Sequence, residues 1–137
     1  MAPSDSPNPL RILLSVTAAI EVGAGITLAI APSAVVQVLL GSPLDSPAGV
    51  VIGRVLAAAL FSLGVACWLT RNNDQDRTAG GLVWALLLYN IASVSLLGYA
   101  RLGMGMTGVG LLPAVVLHSL LSLWCIACLG FGRRAIK

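Results

Sequence analysis

The chain has 137 residues, of which 58% are hydrophobic and 9% charged, with a formal net charge of +3 and a mean hydropathy of +0.96. Soluble domains carry about a quarter charged residues, so this composition excludes an ordinary soluble domain. The cations are few and scattered, which excludes a nucleic-acid-binding role and reduces the positive charge to a topology signal and a weak attraction to anionic lipid.

In chain order, the first long apolar stretch runs from Leu10 to Ala31. Arg11, the apolar run and the Ala-Ile-Ala of residues 29–31 imitate a secretory signal, but Pro32 directly after the would-be cleavage point and Glu21 inside the run argue for a retained first helix. The connection that follows, "PSAVVQVLLGSPLDSPAG" from Pro32 to Gly49, holds an apolar patch at Val35 to Leu40 between Pro, Ser and Gly residues. It reads as a short helix or re-entrant piece at the outer interface, with a plain loop as the alternative. The second stretch, Gly49 to Thr70, leads into the polar connection "RNNDQDRTAGG" at residues 71–81. The third spans Ala79 to Arg101, and "RLGMGMTG" at residues 101–108 reads as a tight turn whose glycines also permit a flexible gate. The fourth spans Thr107 to Phe131.

Each stretch is near or above the roughly 20 residues that carry a helix across about 30 Å of hydrocarbon. Lipid offers no hydrogen bonds to the backbone, and the alternation of barrel strands is missing, so helices are expected. The expected fold is therefore all-α: one polytopic membrane domain, an antiparallel bundle of four transmembrane helices, with a short interfacial helix between the first two. Arg11, Arg71, Arg77, Arg133, Arg134 and Lys137 fall on one side, against Arg101 and the shallow Arg54 on the other. By the positive-inside rule both termini are expected in the cytoplasm, in a bacterial-type inner membrane.

Against this background Glu21 stands out. It lies near the centre of its span, roughly 15 Å from either end, where a lone charge costs about 2.5–3.5 kcal/mol on insertion scales. It should face the interior and be paired or protonated. Each other span supplies one strongly polar group: Arg54 in the second, Asn90 in the third and His118 in the fourth. The expected constellation is a Glu21–Arg54 ion pair with Asn90 and His118 close by, Arg54 reaching inward past Val50, Ala57 and Ala58. Gly49, Gly53 and Ala57 form one series of small residues, and Ser15, Ala19, Gly23 and Thr27 another on the first helix. Such series let membrane helices pack closely, so both internal packing and self-association are expected. On the face of His118 stand Ala114, Ser122 and Cys125, a polar stripe that together with Glu21 suggests a proton relay beside the structural reading of a simple hydrogen bond.

The chain has one histidine, and no second strong metal ligand shares its helix at four-residue spacing, so neither a haem ligand pair nor any other metal or cofactor is expected. The segment "WCIACLG" places Cys125 and Cys128 in a Cys-x-x-Cys, with Cys67 in the second span. In architecture and in this tetrapeptide the chain resembles the vitamin K epoxide reductases, a likeness that implies thiol redox chemistry. Those enzymes also rely on a pair of cysteines in a loop on the non-cytoplasmic side, which this chain lacks. The thiols read instead as small buried hydrophobes. Phosphate loops, nucleophile elbows and zincin signatures are missing.

Two main functional readings follow. In the first, the polar centre binds or passes a small ligand or a proton, with Glu21 as charge acceptor, Arg54 as counter-ion, Asn90 as orienting amide and His118 as the proton-sensitive group. In the second, the same residues lock the helices of a structural or assembly subunit, with membrane lipid, a second copy or a membrane complex as partner. A membrane enzyme, by acid–base or thiol redox chemistry, is the third. Ionisable residues inside a membrane favour the first.

Overall fold

The computed structural model describes residues 8–72 and 77–134, with Arg77 and residues 131–134 described as backbone only. The described chain is all-helical: α1 (Pro9–Ile30), α2 (Pro32–Leu40), α3 (Pro47–Thr70), α4 (Arg77–Leu102) and α5 (Leu111–Arg134). Four of these, all but α2, contain segments long and apolar enough to cross a membrane. Residues 73–76, within the polar connection expected between the second and third spans, and the terminal residues 135–137 lie outside the described residues.

Local chemistry sets the ends. Pro9 occupies the first turn of α1, where its missing N–H is no loss, and the Asn8 side chain accepts a hydrogen bond from the Leu10 amide at 3.0 Å. Pro32 opens α2 directly behind a non-helical Ala31, so the apolar patch expected as a short helix is one. Gly41 ends α2 in the left-handed region at φ 85°, a conformation that costs glycine little. Ser46 then caps α3, its hydroxyl accepting from the Gly49 amide at 3.0 Å. The expected fourth span begins four residues too early: residues 103–110 are a turn, and α5 starts at Leu111.

The closest helix pairs are α1 with α3 and α4 with α5. In the first pair glycines replace side chains at the contact. A Cβ on Gly25 would stand 2.8 Å from the Ala57 carbonyl oxygen and the Phe61 amide nitrogen, and one on Gly64 would stand 2.9 Å from the Val22 nitrogen and 3.0 Å from the Ala18 oxygen. The pairs join through an apolar cluster of Leu13, Leu14 and Ala18 from α1, Cys67 from α3, Val83, Leu86 and Leu87 from α4, and Leu121 and Cys125 from α5. This core therefore gathers the first halves of α1 and α4 with the last half of α3 and the middle of α5.

At the opposite end α2 docks on the α4–α5 turn. The Gly110 amide donates to the Val38 carbonyl at 2.9 Å, and a Cβ on Gly108 would run into the backbone of Leu39 and Leu40. The turn is further fixed by Met106 N–H to the Ala100 carbonyl at 3.0 Å and by Arg101 Nη1 to the Met106 carbonyl at 3.1 Å. The segment read as a tight turn is one, and these bonds make it a well-held cap in place of a flexible gate. Ser33 holds the other connection, its hydroxyl accepting from the Leu44 amide at 3.0 Å.

Candidate functional site

Glu21 is 2% exposed and Asn90 1% exposed, so two of the four expected polar residues lie in the interior. Glu21 sits one turn beyond the apolar cluster on α1 and turns toward α4. Its Oε2 accepts a hydrogen bond from the Tyr89 hydroxyl at 3.4 Å.

Asn90 and His118 meet across the α4–α5 contact, with His118 Nδ1 and Asn90 Oδ1 2.7 Å apart. Asn90 Nδ2 donates to the Leu86 carbonyl of its own helix at 2.7 Å. The Ser122 hydroxyl donates to the His118 carbonyl at 2.8 Å. Tyr89 connects the two groups: its hydroxyl reaches Glu21, while its ring meets the His118 imidazole edge-on, with centroids 5.5 Å apart and planes at 87°. Glu21, Tyr89, His118, Asn90 and Ser122 therefore form one contiguous polar set drawn from α1, α4 and α5.

Arg54 does not belong to it. The expected Glu21–Arg54 pair is absent: Arg54 is exposed, and among the described residues it has no ion-pair partner. Two geometric reasons account for this. The face of α3 that meets its neighbours is set by Gly53, Ala57, Gly64 and Cys67, and Arg54, one residue past Gly53, is turned about 100° away from it. The depth is also wrong. Phe61 lies opposite Gly25 and Gly64 opposite Ala18 and Val22, so the level of Glu21 is met by residues 61–64, roughly 10 Å or more along α3 from Arg54.

Tyr89 was not among the expected site residues. Its position one residue before Asn90, at the same depth as Glu21, is the signal in the sequence. A phenol in a mid-span position needs a partner for its hydroxyl when buried. The three thiols lie on the apolar side of the set. Cys67 and Cys125 are fully buried in the cluster and Cys128 packs against it, as expected of small hydrophobes. Among the described residues no group of three or more His, Cys, Asp or Glu side chains could hold a metal ion. Along the α4–α5 pair an open groove of about 300 Å3 is lined by Ile91, Val94, Ser95, Ser119, Ser122 and Leu123.

Comparison with protein-family models, with curated proteins and with solved structures finds no match for this chain.

Proposed function

We infer that the chain is an integral membrane protein, an antiparallel bundle of four spanning helices, whose polar centre binds a small ligand or carries a proton at Glu21. Antiparallel packing is supported by the α1–α3 contacts, which pair Gly25 with Ala57 and Gly64 with Ala18. Orientation is supported by Arg11 and Arg71 at the end that holds the apolar cluster, where Arg71 also stacks on Trp68 with its guanidinium carbon 3.4 Å from the ring centroid. Exposed Trp68 and Trp84 stand near the same end, as expected of an aromatic belt at the cytoplasmic interface.

The observation that carries the functional reading is the company Glu21 keeps. A carboxylate that stays charged and only clasps helices together should be neutralised by a cation, since a buried charge without one is costly, and an acid without one rests protonated. Glu21 has a phenol hydroxyl instead, and Arg54, the one candidate counter-ion, is exposed elsewhere. An acid held by a neutral donor retains the capacity to take and release a proton, or to meet a cationic group of a ligand. Tyr89 orients it, and the His118–Asn90 pair supplies further polar atoms across the same contact.

The test uses Glu21→Gln, which keeps size and hydrogen bonding but removes the acid. Wild-type protein in liposomes enclosing a pH-reporting dye should admit protons under an imposed potential, or should carry a small-molecule adduct when released from nanodiscs into a mass spectrometer. The variant should lose whichever of these the wild type shows. Equal behaviour of the two proteins removes Glu21 from the mechanism, and a wild type silent in both assays leaves the scaffold reading in its place. That second reading draws on one observation of its own: Ala19, Gly23 and Thr27 of α1 are exposed, a small-residue face suited to another helix.

A further inference from the structure

The hydrogen bonds of Asn90 determine the proton placement of His118. A backbone carbonyl only accepts, so the amide group 2.7 Å from the Leu86 oxygen must be the NH2 of Asn90. Turning the amide over would set two acceptor oxygens against each other at that distance. The Asn90 Oδ1 is thereby directed to His118, 2.7 Å from Nδ1, and Nδ1 must carry the proton that this contact needs. A neutral imidazole has one N–H. Its Nε2 is then a bare lone pair.

That nitrogen has no partner among the described residues. No fully buried side-chain nitrogen or oxygen of the described residues lacks a hydrogen-bond partner, so Nε2 must reach the surface of its half-buried ring. In water the solvent would satisfy it. His118 stands roughly 10 Å inside the start of α5, however, where a spanning helix meets hydrocarbon and an unmet acceptor is costly.

We propose that Nε2 of His118 anchors a membrane-soluble molecule bearing a neutral hydroxyl, an alcohol or a phenol, whose O–H donates to Nε2 while its apolar body lies along the helices. This rests on the reading that the helices span a bilayer around a ligand-binding polar centre, and it adds the donor class and the accepting atom. The choice follows from the electronics. Ketones, esters and ethers offer only lone pairs, which a lone pair repels. A cationic donor would be drawn to the Glu21 carboxyl on the other side of Tyr89, whereas a neutral hydroxyl crosses hydrocarbon at lower cost.

The chain holds a single histidine, so nitrogen NMR of histidine-labelled protein in nanodiscs reports this ring alone. The expected spectrum shows the proton on Nδ1 and a pyridine-type Nε2. Dodecanol should shift the Nε2 signal, and its methyl ether, matched in apolar body but without the donor, should bind about tenfold more weakly, the loss of roughly one hydrogen bond. His118→Phe, which keeps an aromatic ring against Tyr89, should erase the preference for the alcohol. A proton on Nε2, no response to the alcohol, or equal binding of alcohol and ether would each overturn the proposal. If those results come while Glu21→Gln still abolishes proton entry or the native adduct, the proposed function stands and only this site falls. If the Glu21 assays are silent as well, both fall.

Discussion

Glu21 and Arg54 show why a residue-level reading can find the right acid and the wrong partner. Both lie in apolar helices, and opposite charges invite pairing, but attraction cannot rotate a helix whose contact face is fixed by Gly53, Ala57, Gly64 and Cys67. Their effects on stability should accordingly be independent. Glu21→Gln and Arg54→Gln, singly and together, should add to within about 0.5 kcal/mol in thermal unfolding in detergent, as for groups without shared partners; a coupling of several kcal/mol would restore the ion pair. The Asn90 network should matter more. Asn90→Leu leaves Nδ1–H of His118 without its acceptor and should cost about 1–3 kcal/mol. Tyr89→Phe, which gives up a long bond of 3.4 Å, should cost less, and a reversed order would make the phenol the principal tie. Asn90 and His118 were legible in the sequence as mid-span polar residues. Tyr89 was not, because a tyrosine in an apolar helix is usual at interfaces and only the fold shows which carboxylate it meets.

At the scale of the element, small residues have two opposite meanings. Gly25 and Gly23 lie two positions apart on α1, yet a Cβ on Gly25 would press on the α3 backbone while one on Gly23 would meet nothing within 4 Å. Gly25→Ala should therefore destabilise the protein by roughly 1–3 kcal/mol through overpacking. Gly23→Ala should leave its stability within about 1 kcal/mol of wild type, the range of helix propensity. Similar losses from both would mean that a second copy covers the Gly23 face. The small-residue series on α3 marked the contact at Ala57, but the series on α1 marked the outward stripe of Ala19, Gly23 and Thr27, because helices apolar all round give no moment to say which stripe turns inward. The cap offers a separate test. Gly108→Ala should push α2 off the turn, and the Gly110 amide, bonded to Val38 at 2.9 Å, should then exchange its hydrogen faster while amides around Leu86 keep their protection. Unchanged exchange would show that α2 stays docked without that contact.

For the whole molecule, four long helices and the short α2 were legible because unbroken apolar runs set the lengths and proline and glycine mark the breaks. Packing of consecutive long helices, α1 on α3 and α4 on α5, was expected as well; the residues that make the contacts were not legible, because glycine contacts and one apolar cluster have no periodic signature. The proposed orientation makes a further prediction. In a background with Cys67, Cys125 and Cys128 replaced by alanine, a cysteine at Asn72 should react with an impermeant maleimide only after cells are opened, and one at Gly105 should react in intact cells; the reverse pattern inverts the topology. The grouping into pairs also bears on how the protein is made. Everything the α1–α3 contact needs has been synthesised once Thr70 has emerged, so this pair can close on the ribosome while the rest of the chain is still untranslated. The α2 segment, by contrast, has its docking partner at Gly108 and Gly110, about 70 residues downstream. A nascent chain arrested after Leu102 should already hold the first pair together, but its α2 should stay loose until translation carries the last turn into place.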